Sequence, residues 1–573
     1  MSDRRIPRSG CSVTPSILLC AGVCVGAVGV GALAPFASAG TPAFSDRTAE
    51  AGVVVSHSPA YGESFLAGGA VGDFNNDGFI DIYFPVGGNA PDRLFINNGD
   101  GTFTNRAAEW NIAVSHRGTG AAVGDFNGDG WLDLFVTSLG PAGSSQIGQH
   151  RLYRNNGNNT FTNVASAAGV NFSSHIAPDG WGGAWGDYDL DGDLDLAVAG
   201  WQTNDGNRLF RNDGDGTFTD VTVSAGLSNV LNVNGFAPRF ADMDGDRYPE
   251  LIWIADFGTS QYWVNDGDGT FTNFTNGSGT SQDGTEMGMT VADFDEDGDF
   301  DFYVTTISSN NLYMNQGGNV YLNQAASAGV VNTGWGWGTV AIDFNHDSLI
   351  DLVATTQSNR QYAFLNNTPV GGALHFNEVA LSIGLNTNVS GRGIANLDYD
   401  GDGDQDVVFF PRSGPFKLFR NDLSGADTNW IRITLDRGDV TTIAPNGIGS
   451  VVRLTIGDRT LMGRVDGGSN YLSQSELAAH FGLGAVETID AVTVEWTNGD
   501  VTTLIDVPAN QTLVVTAGAA TVPGDLDGDG SVNPADLAIL LAAWGPCGAC
   551  PEDLDGDRTV GPADLAILLA NWG

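Results

Sequence analysis

The sequence predicts an all-β protein: a seven-bladed β-propeller closed by an N-terminal strand, then a small β domain and a small α-helical calcium-loop domain. Three observations support this fold. Four short strands with hairpin signals surround each copy of a repeated acidic loop. A loop–helix pair occupies roughly the last 50 residues. The acidic loop recurs at intervals of about 50 to 62 residues, beginning at Asp73, Asp125, Asp187, Asp242, Asp293, Asp343 and Asp398.

These features divide the chain into four parts. Residues 1–39 form a predicted signal peptide, residues 40–425 the propeller, residues 426–518 the β domain and residues 519–573 the loop–helix pair. The predicted signal-peptide cleavage near Ala39 sets the first boundary, and the regular repeat that follows is typical of propellers and solenoids. The loss of the repeat near residue 426 sets the second.

The net charge limits the classes of partner. The 573 residues carry a formal charge of −44. Such a surface repels nucleic-acid phosphates and anionic lipid, so we expect neither as a partner. The acidic residues are concentrated in the repeated loops rather than in a tail, which indicates cation binding.

The N-terminus has the form of an export signal. Arg4, Arg5 and Arg8 precede an apolar stretch at residues 17–33, and Ala37-Ser38-Ala39 offers a small-residue cleavage site. An uncleaved anchor is the alternative interpretation. No later stretch is apolar for long enough to span a bilayer. We therefore expect a secreted or cell-surface protein, periplasmic or extracellular, after cleavage near Ala39.

The second acidic loop shows why these loops are predicted to bind a metal ion. Asp125-Phe126-Asn127-Gly128-Asp129-Gly130-Trp131-Leu132-Asp133 places side-chain oxygens at positions 1, 3, 5 and 9 and glycine at position 6. A tight loop turns such oxygens, with the carbonyl of position 7, onto one Ca²⁺. Hydrogen-bonded turns without metal are the alternative. Because three or four clustered carboxylates repel one another without a cation, we expect multiple bound Ca²⁺ ions.

The fourth strand of each unit shows how the ring closes. Loops one to six are followed by strands at Phe103, Phe161, Phe218, Phe271, Tyr321 and Phe376. The seventh unit lacks such a strand, whereas an orphan tail at residues 43–49 precedes the first loop. We expect this tail to complete the last blade, because closure removes the exposed sheet edges.

Residues 43–422 resemble the FG-GAP/VCBS repeats of integrin alpha-subunit propellers and related secreted bacterial proteins. The resemblance rests on the seven loops and on Gly-Thr-Phe tails such as Gly101-Thr102-Phe103. It implies Ca²⁺ in each loop. The implied side-chain ligands are Asp73, Asn75, Asp77 and Asp81; Asp125, Asn127, Asp129 and Asp133; Asp187, Asp189, Asp191 and Asp195; Asp242, Asp244, Asp246 and Glu250; Asp293, Asp295, Asp297 and Asp301; Asp343, Asn345, Asp347 and Asp351; and Asp398, Asp400, Asp402 and Asp406.

Two loops depart from this pattern. The fourth has Arg247 at the glycine position and Glu250 at position 9, and the sixth has Ser348 at the glycine position. Both would need a strained or differently shaped turn. We therefore expect weaker metal sites in these two loops.

Residues 426–518 alternate in hydrophobicity like strands, for example at residues 430–435, 450–454, 492–496 and 512–515. They resemble the ASPIC/UnbV domain that follows such propellers in cartilage acidic protein and its bacterial relatives. The matching stretches are residues 446–452, 467–474, 480–484 and 494–499. The resemblance implies an adhesion or matrix-interaction module and no particular reaction.

Arg437-Gly438-Asp439 spells an integrin-recognition tripeptide. A match of three residues is expected by chance in a chain of this length. An acidic turn explains it equally, so no function is assigned to it.

The C-terminal part contains two twelve-residue calcium loops, at residues 525–536 and 553–564, each followed by the same apolar helix sequence. The first helix is predicted from Leu537 to Trp544. The pair resembles a type I dockerin, an EF-hand-like module, which implies a cohesin-like or cell-surface partner. A calcium-stabilised helical hairpin without a partner is the alternative. The implied ligands are Asp525, Asp527, Asp529, Asn533, Asp536, Asp553, Asp555, Asp557 and Asp564.

The second of these loops departs from the pattern, with Arg558 at the glycine position and Gly561 at position 9. Between the two halves lie Cys547 and Cys550. No Cys or His lies close enough in sequence to complete a zinc site, and no thioredoxin-like pattern surrounds them. In an oxidising compartment a local disulfide is the best interpretation.

No catalytic motif is recognisable, so we expect no enzyme. The histidines are scattered, and no nucleophile elbow, phosphate-binding loop or dinucleotide fingerprint occurs. The sequence predicts a calcium-binding adhesion or recognition scaffold that binds a glycan or matrix ligand on the propeller and is tethered through its C-terminal module. A carbohydrate-active enzyme or lectin of a polysaccharide-degrading complex is the alternative.

Overall fold

The structure is a computed structural model. It describes residues 40–59, 66–140, 149–281, 284–369, 371–385, 387–468, 470–518, 524, 526, 532–547, 550, 552–554 and 558–572. The predicted signal peptide, residues 1–39, lies outside the described residues, as do Asp525, Asp527, Asp529, Asp555 and Asp557.

Short strands and a few one-turn helices make up the first 425 residues. The helices are α1 (Ala165–Ala168), α2 (Thr275–Ser278) and α3 (Ala325–Ala328). The strands are β1 (Phe44–Asp46), β2 (Ser56–His57), β3 (Gly69–Gly72), β4 (Asp81–Phe84), β5 (Arg93–Asn97), β6 (Phe103–Asn105), β7 (Gly118–Gly124), β8 (Asp133–Ser138), β9 (Arg151–Asn155), β10 (Phe161–Asn163), β11 (Gly183–Gly186), β12 (Asp195–Val198), β13 (Arg208–Asn212), β14 (Phe218–Asp220), β15 (Asn234–Ala241), β16 (Glu250–Asp256), β17 (Gln261–Asn265), β18 (Phe271–Asn273), β19 (Glu286–Ala292), β20 (Asp301–Thr306), β21 (Asn311–Asn315), β22 (Tyr321–Asn323), β23 (Gly336–Ile342), β24 (Asp351–Thr356), β25 (Tyr362–Asn366), β26 (Phe376–Glu378), β27 (Ser390–Leu397), β28 (Asp406–Pro415) and β29 (Lys417–Asn421).

In the described part of this region the strands form seven sheets in chain order. Six sheets each contain four consecutive antiparallel strands: β3–β6, β7–β10, β11–β14, β15–β18, β19–β22 and β23–β26. The seventh contains β27, β28, β29 and β1, and β2 also pairs with β28. The first strands of successive sheets contact one another, and β27 contacts β3. This all-β arrangement of repeated four-stranded sheets fits a β-propeller.

The N-terminal strand β1 lies beside the end of the repeat region. Phe44 pairs with Asn421 and Asp46 with Phe419, antiparallel. The Ser45 hydroxyl adds a 2.6 Å hydrogen bond to Asp422. This is the pairing that the sequence predicts for residues 43–49.

The apolar core of the repeat region lies between neighbouring sheets. Phe126, from the second acidic loop, stacks on Trp185 of β11 in the next sheet, with ring centroids 6.5 Å apart. The strands nearest the centre carry Gly and Ala, for example Gly120 and Ala121 in β7, so their backbones approach closely.

The next part of the chain forms two further sheets. Its strands are β30 (Asn429–Asp436), β31 (Val451–Ile456), β32 (Arg459–Arg464), β33 (Ser473–Gln474), β34 (Ala479–Gly484), β35 (Thr488–Glu495), β36 (Val501–Pro508) and β37 (Gln511–Thr516). One sheet has the order β34-β30-β37 and the other β32-β31-β35-β36. A core that includes Ile431, Val452 and Trp496 fills the space between them and continues into Phe126 and Trp185.

A segment of this second domain enters the ring of first strands. β33 pairs in parallel with β3, Gly69 with Ser473. Tyr471 and Leu472 are fully buried against apolar residues of several sheets, Trp337 among them. Backbone amides of Ala121 and Thr339, from the second and sixth sheets, donate to the carbonyls of Leu472 and Asn470. Residues 470–474 therefore lie inside the ring; we call them the central segment.

Two helices of identical sequence end the chain, α4 (Pro534–Ala542) and α5 (Pro562–Ala570), with the two-residue strands β38 (Gly545–Pro546) and β39 (Thr559–Val560). α4 begins three residues before the predicted Leu537 and ends before Trp544. The reason is a capping box: the Asn533 side chain accepts from Ala535 N–H, and Asp536 accepts from Asn533 N–H.

Candidate metal centres

The seven acidic loops share one backbone conformation. In each, the amide of position 6 donates to the carboxylate of position 1, at 2.7 Å from Gly78 to Asp73 and 3.1 Å from Gly403 to Asp398. Arg247 and Ser348 keep this bond with φ of 79° and 74°, close to the 83° of Gly130. The fourth and sixth loops therefore keep the left-handed turn with a non-glycine residue in a conformation that strains it. In the fourth loop the amide of Gly245, at position 4, also donates to Asp242.

The residue at position 9 begins the second strand of every sheet and is buried. Asp133 accepts from the amides of Phe126, at 3.2 Å, and Asn155, at 2.7 Å. Equivalent pairs of bonds reach Asp81, Asp195, Asp301, Asp351 and Asp406. Burial raises the pKa of Asp133 to about 9 and that of Glu250 to about 9. A nearby cation would offset this desolvation cost.

Four loops bring three carboxylates together. One oxygen from each member lies within 4.8 Å of the others in these groups: Asp187, Asp189 and Asp195; Asp242, Asp244 and Asp246; Asp293, Asp295 and Asp297; and Asp398, Asp400 and Asp406. The fourth loop is among them, although the sequence predicts a weaker site there. Burial and the neighbouring Asp191 raise the pKa of Asp187 to about 8.

Position 3 supplies the clearest test of fit for a metal. Asp189 Oδ1, Asn345 Oδ1 and Asp400 Oδ1 are buried and have no hydrogen-bond partner among the residues that the structure describes. A buried oxygen without a partner costs about 1–3 kcal/mol, so each is expected to face a ligand. Hard oxygen donors in this number are the ligands that Ca²⁺ prefers. The donor sets therefore fit the implied ion.

Loops one, two and six carry asparagine at position 3. Its side-chain amide donates to the aspartate at position 5, at 2.7 Å from Asn75 to Asp77 and 2.9 Å from Asn127 to Asp129 and from Asn345 to Asp347. The structure places the remaining predicted ligands of these loops, Asp73, Asp125, Asp343, Asp81, Asp133 and Asp351, at the corresponding positions of the shared turn.

The second domain contacts the loops of the second to seventh sheets, and Phe126 of the second loop belongs to its core. Arg437 donates to the carbonyl of Gly192 at 3.2 Å, and Arg459 pairs with Glu296 at 2.6 Å. Arg247 donates to the carbonyl of Thr497. At loop six His346 Nδ1 lies 3.0 Å from the carbonyl oxygen of Thr428, and at loop seven His480 Nε2 lies 2.8 Å from that of Gly403. Because Arg437 is held by Gly192 and Ile443, the Arg-Gly-Asp tripeptide is part of this contact.

Sequence reasoning missed a ring of asparagines. The last residue of the third strand in each sheet donates its side-chain amide to the position-2 carbonyl of the preceding sheet's loop, as Asn155 does to Phe74 at 2.8 Å. The others are Asn97, Asn212, Asn265, Asn315, Asn366 and Asn421. We call these seven residues the asparagine belt. The recurrence of Asn at one position of all seven repeats is a signal that could have found it.

The C-terminal loops are described in part. Asp536 and Asp564 are fully buried, and each accepts two backbone amides. Asp553 accepts from the amide of Arg558, which adopts a left-handed φ of 67°. Cys547 and Cys550 are joined by a disulfide.

Within the described part of the chain, every helix is too short or too polar to cross a membrane.

Repeated four-stranded sheets, each with an acidic loop between its first two strands, define a repeat protein of the β-propeller type. The chain belongs to the FG-GAP-like repeat family, which matches residues 61–136, 142–198, 187–253, 242–304 and 343–409, more than half of its length. The ASPIC and UnbV family matches residues 441–522. The resemblances to FG-GAP repeats and to the ASPIC/UnbV domain are thereby confirmed, and the resemblance of the C-terminal part to a dockerin stays a prediction.

The chain is similar to cartilage acidic protein 1 of three vertebrates. Identity to the Xenopus tropicalis protein is 24% over 490 residues, 78% of this chain and 64% of that protein. Identity to the human protein is 30% over 228 residues, 38% and 31% of the two chains. Identity to the mouse protein is 24% over 445 residues, 76% and 49%. The chain thus spans less than two-thirds of the length of these relatives.

Two solved structures are similar in outline. An Agrocybe aegerita lectin, described for its specific recognition of non-reducing terminal N-acetylglucosamine, has a TM-score of 0.38 and 17% identity over 61% of this chain and 87% of its own. BBS1N, from its complex with ARL6DN, has a TM-score of 0.35 and 9% identity over 62% and 92%. Scores of this size carry no functional argument.

Proposed function

We propose that this protein is an exported, calcium-binding recognition or adhesion scaffold. Its seven sheets are the blades of one closed seven-bladed propeller. The pairing of β1 with β29 and the contact of β27 with β3 support closure. The ASPIC/UnbV domain packs on the loop face, and the C-terminal helix pair is a dockerin-like tether to a cohesin-like or cell-surface protein.

The observation that carries the calcium proposal is the set of buried oxygens without partners at position 3 of the loops. Asp189 Oδ1 and Asp400 Oδ1 each lie in a cluster of three carboxylates. Without a cation these groups would combine desolvation with like-charge repulsion. Ca²⁺ accepts six to eight oxygen ligands in flexible geometry, so it suits loops that mix carboxylates, amides and backbone carbonyls.

The tether proposal rests on duplicated exposed apolar side chains. α4 is followed by Trp544 and exposes Leu541; α5 is followed by Trp572 and exposes Leu569. A short module with such a surface is expected to be covered by a partner. Export is supported by the signal-like N-terminal sequence and by the acidic, oxygen-rich loops, which suit the calcium levels outside the cell.

We propose no enzymatic activity. Asp92, His116 and Ser138 form a hydrogen-bonded chain that resembles a nucleophile–base–acid triad, at 2.7 Å and 2.8 Å. All three are at most 2% exposed. The position of Asp92, just before the third strand, is occupied in other sheets by His150, Asn207, Ser260, Asn310 and Gln361, each of which accepts the amide at the end of the second strand. Asp92 therefore takes part in a structural hydrogen bond that recurs from sheet to sheet, and its contact with His116 and Ser138 gives no evidence of a catalytic site.

Glycan recognition is a second candidate, favoured by an aromatic cluster at the ends of the sheets opposite the acidic loops. Trp201 stacks on Phe236 and contacts Trp181 and Phe257. Phe257 is 65% exposed, and Trp201 donates to Asp256 at 3.2 Å. Exposed aromatic faces beside carboxylates suit pyranose rings.

A metal count with calorimetric unfolding tests the main proposal. The full chain is measured with saturating Ca²⁺ and after chelation. Several bound Ca²⁺ per chain and a large fall in Tm on chelation are expected, because an ion that binds only the folded state stabilises it. No bound metal and no shift would refute the calcium proposal. A glycan array on the calcium-loaded protein tests the second candidate.

A further inference from the structure

Position 6 of the acidic loops is open in the first loop and covered by the second domain in the third and seventh. Gly78, in loop one, is exposed, and a Cβ there would meet no atom within 4 Å. Gly192, in loop three, and Gly403, in loop seven, are buried. The φ angles of the three glycines are 89°, 91° and 91°. The loops therefore share the turn and differ in what lies on it.

Atoms of the second domain lie directly on the two buried glycines. A Cβ on Gly192 would overlap the carbonyl oxygen of Thr441, and one on Gly403 would overlap the ring of Trp430. Glycine at these positions thus serves both the left-handed turn and the close approach of the second domain.

In loop three, Gly192 joins a predicted calcium ligand to the second domain. Its amide donates to Asp187, at position 1, at 3.0 Å. Its carbonyl accepts from Arg437 Nη1 at 3.2 Å, and the same nitrogen of Arg437 donates to the carbonyl of Ile443 at 3.1 Å. Movement of Gly192 would therefore disturb the position-1 carboxylate and the domain contact together.

Loop seven repeats this arrangement with a different donor. The amide of Gly403 donates to Asp398, at position 1, at 3.1 Å, and its carbonyl lies 2.8 Å from His480 Nε2. A carbonyl oxygen only accepts, so this nitrogen carries the hydrogen. Trp430 stacks on His480, with ring centroids 6.2 Å apart and planes inclined by 16°. The two rings of the second domain thus hold Gly403 from the side opposite the carboxylates.

Both covered loops bring three carboxylates together, from Asp187, Asp189 and Asp195 in loop three and from Asp398, Asp400 and Asp406 in loop seven. Such groups repel one another unless a cation or water compensates the charge, and the second domain restricts the access of water. An ion that fixes the position-1 carboxylate also fixes position 6, where the second domain binds. Two binding events that favour the same loop conformation strengthen each other by the same factor.

We propose that Arg437 and His480 are positioning residues for the calcium sites of loops three and seven, and that Ca²⁺ binding there is coupled to docking of the second domain. Loop one binds its ion independently. The inference rests on the proposed calcium binding and gives it a consequence: the calcium-loaded loops keep the central segment inside the ring, and a fall in Ca²⁺ releases it.

The test follows release of Ca²⁺ from the fully loaded chain into an excess of fluorescent chelator. The ion of loop one should leave in a fast phase, and those of loops three and seven in a slower one. During the slow phase, peptides containing Ala121 and Thr339, whose amides donate to the central segment, should lose protection from hydrogen exchange. Mass spectrometry measures this loss.

Arg437→Ala and His480→Leu should each move at least one ion from the slow phase to the fast phase. Each should also lower the affinity of its site by about 10–100-fold, as is usual when a group that supports a metal ligand is removed. His480→Gln should restore the slow phase, because its side-chain amide still offers a donor to the Gly403 carbonyl. Arg106→Ala is the control, since Arg106 is exposed and pairs with the neighbouring Glu109 at 2.8 Å; it should release Ca²⁺ as the wild type does.

Gly192→Ala and Gly78→Ala form a matched pair with the same strain in the turn. In saturating Ca²⁺, Gly192→Ala should expose the central segment to hydrogen exchange, and Gly78→Ala should leave it protected.

Release of every ion in one phase, with the central segment still protected, would overturn the coupling and leave calcium binding intact. Unchanged release in both Arg437→Ala and His480→Leu would overturn it as well. A chain that binds no Ca²⁺ would refute the calcium proposal itself, and this inference with it.

Discussion

The side-chain amide of Asn97 donates a 2.7 Å hydrogen bond to the backbone carbonyl of Tyr399, although 302 residues separate them in the chain. Asn97 ends the third strand of the first sheet, and Tyr399 is position 2 of the last acidic loop. The bond therefore joins the first sheet to the seventh, as the other members of the asparagine belt join their neighbours. The first and seventh sheets are thus joined by a side-chain hydrogen bond as well as by the contact of β27 with β3.

Asn97→Ala should destabilise the protein by about 1–3 kcal/mol, because the buried carbonyl of Tyr399 loses its donor. The free energy of unfolding, measured by denaturant titration in saturating Ca²⁺, checks this. Asn98→Ala is the control: Asn98 is exposed and bonds only locally, to Thr102 and Thr104. Equal effects of the two substitutions would contradict a special role for the belt.

Asp189→Asn should have opposite effects with and without calcium. It keeps the shape of the side chain but removes one charge from the third loop. With Ca²⁺, the loop should still bind its ion, because Asn occupies the same position in loops one, two and six, but its affinity should be lower and the rise in Tm on adding Ca²⁺ should shrink. In chelator at pH 8, the variant should melt above the wild type, because repulsion by Asp191 is relieved. Asp215→Asn, in an exposed hairpin, should change neither quantity; a Tm that falls in chelator would count against the repulsion argument.

Gly68→Ala should disturb the packing of the central segment against the first sheet. A Cβ at this position would overlap the carbonyl oxygen of Leu472. The free energy of unfolding should fall by about 1–3 kcal/mol, as is typical of overpacking. Gly284→Ala is matched, since a Cβ there meets no atom within 4 Å, and it should change stability by less than about 0.5 kcal/mol. Equal stability of the two variants would contradict the close packing of Gly68 against Leu472.

His150 should make stability depend on pH. Burial, with a smaller contribution from His116, lowers the pKa of His150 from 6.5 to about 3. The unfolded chain therefore binds a proton here below pH 6.5 that the folded chain does not. The stability that the folded chain gains from keeping His150 neutral is complete above pH 6.5. It is lost as the pH falls, by about 1.4 kcal/mol per pH unit until about pH 3.

His150→Gln should remove this part of the slope. The measurement is the difference in free energy of unfolding between wild type and variant at several pH values, which cancels the carboxylate contributions. That difference should narrow or reverse as the pH falls. His375→Gln should leave the slope unchanged, and a parallel pH dependence of wild type and His150→Gln would refute the assignment.

Local patterns in the sequence predict much of this fold. The acidic loops, the fourth strands and the orphan N-terminal tail are each visible within a few residues, because they depend on turn chemistry and alternation. The strands of the second domain at residues 430–435 and 512–515 were visible for the same reason. The left-handed φ of Arg247 could not be predicted, because the sequence pattern shows only that glycine is absent at this position. The hydrogen bond from the Arg247 amide to Asp242 stabilises the turn.

Contacts between distant parts of the chain could not be predicted. Asn97 and Tyr399, or Leu472 and Ala121, meet only because the ring brings them together. The same applies to His346 and His480, which looked scattered in the sequence. Their roles depend on the position of a backbone carbonyl or a neighbouring ring, which no periodicity encodes.

The central segment also constrains the order in which the molecule can be completed during translation. A ribosome makes all the strands of the ring before residues 470–474, so the growing chain holds the apolar inner surface of Trp181, Phe236 and Trp337 uncovered meanwhile. A product that stopped between Asn421 and Asn429 would contain all seven sheets without their centre. Such a product would offer chaperones and proteases an exposed apolar cavity, which is covered only once residues 470–474 have been made.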